Sequence, residues 1–350
     1  MINYINAQFN AVSVHYIGDH NESEGIKTSP SPIRIHEDDY VRSLLLKYFF
    51  DNFKEPEFFS FTFLEGDVEM NPVYKYVTEI FENPAIIHEQ SMVIAKYLYN
   101  QSTHPNIKSG DMMMSYVEDL VVDDELVSAI VIFKSEAKDS YLKLQKMNGQ
   151  YDMKHGEGIS ITKLDKACII FNTEKEDGYK LCVVDKSNRN KDAIYWRQDF
   201  LNVESRSDDY YKTKVYIQAT KAFVNERLKP LYDTDKSDEA YILNASQSYL
   251  KQEESFDESS YLDSIFGDEE EVKKEFKSYK KDYQEENNVE LHDAFDVSQA
   301  AVKNQSKVFK SVLKLDKNFS LYIHGNRNMI EKGVDDDGRK YYKLFYDNEA

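Results

Sequence analysis

Five short segments between residues 112 and 185 show the strand-like pattern that most restricts how this chain can fold. Each is largely apolar, and each is separated from the next by a polar connection. Consecutive strands joined in this way usually pair with each other in an antiparallel sheet. The pattern therefore predicts an antiparallel sheet built from Met112–Val117, Ser128–Lys134, Tyr141–Lys146, Lys166–Asn172 and Tyr179–Asp185.

Helical spacing of apolar residues dominates the region before these strands. One helix is expected to begin near Asp38, and two more are expected over Val73–Glu82 and Ile86–Asn100, after a first strand at Ala11–Ile17. A sheet buries its apolar face by packing against such helices. We expect the three helices to lie on one side of the sheet.

The second half of the chain is mainly helical by the same criterion. It ends in two strand-like segments that predict a closing β-hairpin. The whole pattern indicates an α+β protein with an N-terminal α+β domain over 1–205 and a mainly helical C-terminal domain over 206–350. The predicted helices are Asp209–Leu228, Asp238–Glu254, Ser259–Phe266, Asp268–Glu286 and Val297–Leu313, and the closing strands are Ser320–His324 and Lys340–Tyr346.

Composition narrows the class of protein. The 350 residues are 41% hydrophobic, enough for buried cores, and carry a net charge of -19, which repels nucleic acid and anionic membranes at long range. Cys168 and Cys182 both lie in apolar runs and are expected to be buried free thiols. Without a signal-peptide pattern or an apolar segment of about 20 residues, we expect a cytoplasmic protein with no membrane partner.

The negative charge is unevenly distributed. Residues 231–300 hold 20 Asp and Glu against 7 Lys and Arg, whereas residues 301–350 hold 10 Lys and Arg against 7 Asp and Glu. On the predicted final helix, spacings of four, three and four would align four lysines on one face. Such a face could contact DNA phosphates, although a solvated amphipathic helix would show the same spacing. The aligned residues are Lys303, Lys307, Lys310 and Lys314.

A second group of cations follows the last strand of the predicted sheet. The segment holds Lys186, Arg189, Lys191 and Arg197, and the aromatic pair Tyr195 and Trp196 lies inside it. Cations interleaved with aromatic residues suit phosphate contact and base stacking. The alternative is a polar loop followed by a pair of core aromatic residues.

Two acidic groups raise the question of metal chemistry. Asp123, Glu136 and Lys138 flank a strand and loosely resemble the carboxylates and lysine of a metal-dependent nuclease. The run 335–337, closed by Gly338, could hold a cation, but a solvated hairpin turn explains it more simply. Neither group has the full spacing of a known metal site. The sequence therefore predicts no metal and no cofactor.

Four stretches of the chain form a recognisable set: the closing run from Leu321 to Lys343, the segment from Ser102 to Gly110 around His104-Pro105, the strand Ala129–Glu136, and Tyr195-Trp196 before Phe200-Leu201. In these stretches the chain resembles bacterial nucleoid-associated proteins of the NdpA/YejK type. The pattern covers nearly the whole chain. It is most similar to the branch of the family found in Bacteroidetes-like bacteria.

The resemblance implies a nucleoid-localised cytoplasmic protein that associates with double-stranded DNA and is not an enzyme. It supplies no catalytic residues. We therefore expect a non-enzymatic nucleoid-associated protein; the alternatives are an adaptor recruited by a DNA-bound protein and, less favoured, a metal-dependent nuclease. A homodimer is compatible with the exposed sheet edges. The expected DNA contacts are Lys303, Lys307, Lys310, Lys314, Arg327, Arg339, Lys186, Arg189 and Lys191.

Overall fold

The computed structural model describes most of the chain and divides it into two compact units, Met1–Arg206 and Ser207–Ala350. The assignment of two domains, over 1–205 and 206–350, stays a prediction. Among the described residues, no helix combines the length and the apolar character needed to cross a bilayer. The described residues are 2–35, 39–53, 56–147, 150–185, 195–228, 232, 236–309, 311–315, 319–323 and 329–346.

An antiparallel sheet forms the centre of the first unit, as the strand pattern predicted. The strands of the first unit are β1 (Ile2–Asn3), β2 (Ala11–Ile17), β3 (Ile26–Thr28), β4 (Ile33–Arg34), β5 (Phe58–Phe61), β6 (Gly110–Val122), β7 (Glu125–Ser135), β8 (Lys138–Met147), β9 (Gln150–Ile159), β10 (Lys166–Phe171), β11 (Lys180–Asp185) and β12 (Val203–Ser205). The main path of the sheet runs β12-β5-β11-β10-β7-β6-β2-β3, with β1 and β4 attached at the side. The predicted strand at Tyr141–Lys146 lies outside this path, because β8 pairs with β9 in a separate two-stranded ribbon.

Helices cover both faces of this sheet, so the expectation of helices on one side is wrong. Helix α1 (Asp39–Phe50) packs on one face, where Phe49 stacks on Phe133 of β7 at 4.6 Å between ring centroids. Helices α2 (Pro72–Glu82) and α3 (Ile87–Gln101) pack on the other face. Burial of both faces explains why the middle of β7 is continuously apolar rather than alternating. Periodicity identified the helices but carried no information about which face each one covers.

The cysteines lie where the sequence predicted, in the buried centre of the sheet. Cys168 on β10 and Cys182 on β11 are free and fully buried. They belong to the cores on opposite faces of the sheet, which explains why neighbouring strands do not bring them into a disulfide. Burial raises the pKa of both thiols.

The second unit is mainly helical around an aromatic core. Asp208 caps its first helix by accepting a hydrogen bond from the Tyr211 backbone N–H at 2.8 Å. Two short strands pair between the helices and stack Phe256 on Phe295 at 4.5 Å. The elements are α4 (Asp209–Phe223), α5 (Lys236–Gln252), β13 (Ser255–Asp257), α6 (Glu258–Phe266), α7 (Glu270–Asn287), β14 (Ala294–Asp296) and α8 (Gln299–Asn304).

The chain ends in two β-hairpins, and here the sequence-based prediction of a helix over Val297–Leu313 is wrong. Helix α8 ends at Asn304, a turn follows, and the chain then enters a strand. Phe309 is 2% exposed in the core of the second unit, so the segment after the turn is held there by burial rather than by helical hydrogen bonds. The strands are β15 (Ser311–Leu315) paired with β16 (Phe319–Ile323), and β17 (Ile330–Val334) paired with β18 (Lys340–Leu344).

Candidate nucleic-acid interface

The C-terminal lysines do not share one helix face. Lys303 lies in the last turn of α8 and Lys307 in the turn that follows, and both are exposed. Lys314 lies on β15, opposite Ser320 of β16. Lys310 is outside the described residues. The single helical stripe is therefore not formed: Lys303 and Lys307 are exposed at the end of a helix, and the backbone of Lys314 belongs to a strand.

Lys303 and Lys307 project from a segment that is firmly attached to the core of the second unit. Ser298 caps α8 by accepting from the Ala301 backbone N–H at 3.3 Å, and its own N–H donates to Thr213 at 3.0 Å. Ala301 and Val302 are buried beside Lys303. These contacts hold the backbone beneath the lysines, while a cation in the last turn also interacts favourably with the helix dipole.

Arg339 occupies a different electrostatic environment. It lies in the β17–β18 turn, where its guanidinium is 3.1 Å from Asp335 and 2.8 Å from Asp337. Asp335 also accepts from the Arg339 backbone N–H at 2.7 Å, and Gly338 closes the turn with a φ of +79°. The acidic run is thus a hairpin turn, as predicted, and its carboxylates offset the charge of Arg339. Arg327 is outside the described residues.

The second predicted patch, Lys186, Arg189 and Lys191, also lies outside the described residues. The aromatic pair that follows it is buried, with Trp196 at 0% and Tyr195 at 3% exposure. The proposed role of this pair in stacking on bases is therefore wrong, and the core interpretation is confirmed. The Trp196 indole N–H donates to the Ala167 carbonyl at 3.3 Å.

A buried charge cluster lies at the end of β7 and was missed by the sequence analysis. The Lys134 side chain is fully buried, and its Nζ lies 2.9 Å from Glu136 Oε1. The same Nζ donates to the Lys108 carbonyl at 2.5 Å and lies 3.4 Å from the Tyr195 hydroxyl. Burial lowers the pKa of Lys134, and the neighbouring Glu136 opposes that shift.

A second buried lysine completes the cluster. Lys166 begins β10 directly opposite Lys134 of β7, and its Nζ lies 2.8 Å from Asp185 and 4.0 Å from Glu136. Two cations side by side on neighbouring strands repel each other unless carboxylates lie between them. The pKa of Tyr195 is raised mainly by burial, and the nearby carboxylates of Glu136 and Asp185 raise it further.

The position of this cluster relates it to the second predicted patch. Asp185 and Tyr195 are the described residues on either side of the segment that carries Lys186, Arg189 and Lys191. Both residues contact the cluster, and the lysines of the cluster are enclosed and paired. A sequence signal was available, because Lys134 interrupts an apolar strand and belongs, with Glu136 and Tyr195, to the stretches that resemble the family.

The residues of the nuclease-like pattern are not brought together. Asp123 lies in the β6–β7 turn and pairs with Lys180, whereas Glu136 follows the opposite end of β7. Eleven strand residues separate the two, which corresponds to about 35 Å. Lys138 pairs with Asp111 at 3.3 Å. Within the described part of the chain, no group of three or more His, Cys, Asp and Glu residues is arranged to hold a metal ion.

The second unit contains an open cleft of about 600 Å³ between α5, α6 and the start of α7. Its wall is partly apolar and partly polar, and Tyr241 in it is 41% exposed. Asp238, Asp263 and Glu269 also line it. The cleft combines an apolar surface with negative charge. Its apolar lining residues are Leu228, Tyr232, Tyr241, Ile242, Ile265, Phe266 and Val272.

Comparison with known proteins places this arrangement in a family. No curated protein and no solved structure gives a significant match to the chain. The family model described as nucleoid-associated protein YejK matches residues 13–341, which include nearly all of the sheet, the buried charge cluster, the cleft and most of the C-terminal hairpins. The chain belongs to the family of the nucleoid-associated protein YejK.

Proposed function

We propose that this protein is a non-enzymatic nucleoid-associated protein that contacts the phosphates of double-stranded DNA through its C-terminal cations. The observation that carries the proposal is the exposure of Lys303 and Lys307 on an anchored segment that begins the net-positive end of the chain. Family membership supports the nucleoid-associated role. We place the protein at the nucleoid in the cytoplasm, and its assignment to a Bacteroidetes-like branch stays a prediction.

The physical basis is local electrostatics. Charges are screened over roughly 8–10 Å at cellular salt, so distant acidic residues weaken DNA binding less than nearby lysines favour it. Each phosphate contact releases counterions, and affinity then falls steeply with salt. Binding would be independent of base sequence, because phosphates carry no sequence information.

Binding of the full chain to a mixed-sequence duplex over a salt series tests this proposal. We expect the variant Lys303→Glu/Lys307→Glu to bind the duplex more weakly than the unchanged protein does. The slope of log K against log salt should decrease in magnitude by about 2, because each lysine makes one phosphate contact. The matched control is Lys75→Glu/Lys96→Glu, which makes the same change in net charge at exposed positions of α2 and α3. Equal losses in both variants would show a general charge effect, and no loss in either would exclude these lysines.

The other predicted contacts remain part of the proposal and can be ranked by their surroundings. Lys314, Lys310 and Arg327 belong to the same C-terminal end, whereas Arg339 is paired with Asp335 and Asp337 and should contribute less. Charge reversal of Lys186, Arg189 and Lys191 tests the second patch separately. A measurable loss there would add a second contact region.

A second function, that of an adaptor recruited by a DNA-bound protein, is favoured by the acidic cleft of the second unit. Its apolar wall and its carboxylates suit an amphipathic segment that presents apolar residues on one face and lysine or arginine on its flanks. Charge complementarity would speed the encounter with such a segment, and apolar burial would hold it. The net charge of residues 231–300 disfavours DNA itself as the occupant.

Binding of a labelled amphipathic lysine-leucine peptide, with a glutamate-leucine peptide of the same length as control, tests the adaptor role. We expect Tyr241→Ala and Glu269→Lys to weaken binding of the basic peptide. Glu290→Lys, at an exposed position after α7, is the matched charge control and should have little effect. If the basic peptide binds no better than the acidic one, the cleft has no role in recruitment.

A further inference from the structure

The β8–β9 ribbon has two chemically different faces. Cross-strand pairing sets Leu144 opposite Met153 and Leu142 opposite His155, so these side chains share one face. On the other face Tyr141 lies over Gly156, where an added side-chain carbon would come within 2.8 Å of the tyrosine ring. The other described side chains of the second face are polar or belong to glycine, which leaves the first as the apolar face of the ribbon.

This apolar face is exposed. Leu142 is 69% exposed, Leu144 62%, Met153 61% and Tyr151 74%. Within the described residues, β8 and β9 pair with each other and with no further strand. A two-stranded ribbon is marginally stable by itself in water, and a continuous exposed apolar face commonly marks an interaction surface. The ribbon is therefore expected to gain order when its apolar face is covered.

The charge of the ribbon indicates what covers it. The whole chain carries -19, so two copies repel each other over most of their surfaces. Residues 138–159, by contrast, hold four lysines against three acidic residues. A second copy can approach here without that repulsion. A nucleic acid would leave the apolar face uncovered, because phosphates offer it no apolar contact.

The order of residues along the face is also self-complementary. Suppose that two ribbons pack face to face with their strands running in opposite directions and a two-fold axis at position 143. Leu144 of each copy then lies against Leu142 of the other. The same arrangement sets Lys146, near the tip, against the Ser140–Glu157 pair near the base of the other copy. A two-fold axis makes each of these contacts twice. The apolar centre would then be flanked at both ends by opposite charges.

We propose that the β8–β9 ribbon is a homodimerisation arm, which joins two copies of this chain through the apolar faces of their ribbons. The dimer would present two sets of C-terminal cations, so weak phosphate contacts on one chain would be reinforced by those on the other. The association itself does not depend on DNA binding.

Sedimentation of the full chain without DNA, over a wide concentration range, tests the dimer. We expect a concentration-dependent dimer whose Kd rises at least tenfold in Leu142→Asp/Leu144→Asp. The matched control, Leu64→Asp/Leu126→Asp, replaces two leucines of the same unit that are 78% and 68% exposed, and it should leave the dimer intact. A monomer at every concentration, or a dimer insensitive to the ribbon variant, would overturn the proposal.

A charge exchange tests the opposed arrangement of the arms. Lys146→Glu and Glu157→Lys should each weaken the dimer, and the double variant should recover most of the lost affinity because the opposite charges again face each other. Additive losses in the double variant would refute the antiparallel packing. Since these measurements contain no DNA, failure of the dimer and failure of DNA binding remain distinguishable.

Discussion

Two sets of lysines show how differently this chain uses the same side chain. Lys134 and Lys166 are fully buried between β7 and β10, and each has a carboxylate within 2.9 Å. Lys303 and Lys307 are exposed at the end of α8, on a backbone held by the core of the second unit. The first pair is enclosed by the protein, and the second pair is exposed to solvent.

The contrast shows that local charge alone does not identify a binding residue. A buried cation must be neutralised by its neighbours, because an unpaired charge in a low-dielectric interior is strongly unfavourable. An exposed cation keeps its hydration and can exchange it for a phosphate. Arg339 is intermediate, since it is exposed yet already paired with two aspartates.

The largest expected effect comes from breaking the buried cluster. Glu136→Gln removes the carboxylate that accompanies Lys134 and should lower the free energy of unfolding by about 3–5 kcal/mol. Urea unfolding followed by the fluorescence of Trp196, which is buried beside Tyr195, measures this directly. The control Lys138→Met breaks the half-exposed pair with Asp111 and should cost less than about 1 kcal/mol. Similar values for both variants would contradict a special role for burial.

The second unit offers an intermediate case. The Lys280 side chain is 9% exposed, and its ammonium group bonds to Glu258 at 2.6 Å and to Asp293. Glu258 also accepts a hydrogen bond from the Tyr216 hydroxyl at 2.5 Å. Asp293 is largely exposed, so only part of the lost pairing is in a dry environment. We expect Lys280→Met to cost roughly 2 kcal/mol, measured by hydrogen exchange in residues 207–309. Exchange unchanged in α7 would show that the pair adds little to stability.

A buried imidazole tests a different situation, a basic group whose hydrogen-bond partners are a hydroxyl and a backbone N–H. His15 bonds to Ser91 at 2.8 Å and accepts from the Ser29 backbone N–H, and burial lowers its pKa to about 4. Between pH 6.5 and 4 the unfolded chain therefore binds the proton first, and stability falls as the pH falls. The loss should be roughly 2 kcal/mol.

Unfolding curves at several pH values measure the size of this effect. His15→Gln should remove the part of the pH dependence that lies between pH 6.5 and 4. The control His155→Gln, on the exposed ribbon, should retain it. An identical pH profile for both variants would rule out His15 as the source.

The smallest effect on stability is expected at the proposed DNA contacts. Lys303→Glu/Lys307→Glu changes exposed side chains and should alter the free energy of unfolding by less than about 0.5 kcal/mol. Chemical denaturation of this variant, in the same buffer as the DNA measurements, checks the value. A loss of several kcal/mol would mean that the lysines support the fold, and any accompanying loss of DNA binding would then be indirect.

Much of the fold was predictable because local patterns report local structure. The strands from Met112 to Asp185, the helices of the first unit and the turn at Gly338 follow from periodicity and turn chemistry, and all are confirmed. Burial of Cys168, Cys182 and Trp196 follows from their apolar surroundings. The candidate site was less predictable. A helix fits the spacing of Lys303, Lys307, Lys310 and Lys314, and only the burial of Phe309 and the pairing of β15 with β16 show that the helix does not continue to Lys314.

By itself, the sequence determined the α+β class, the antiparallel strands and the resemblance to a nucleoid-associated family, since these depend on residue order and residue identity within short segments. Only the tertiary structure decided which cations are buried, which face α1 covers and that β8 and β9 leave the sheet. The physical reason is that burial and ion pairing depend on partners far away in the chain. Lys134 and Lys166 are 32 residues apart in sequence and directly opposite each other on neighbouring strands.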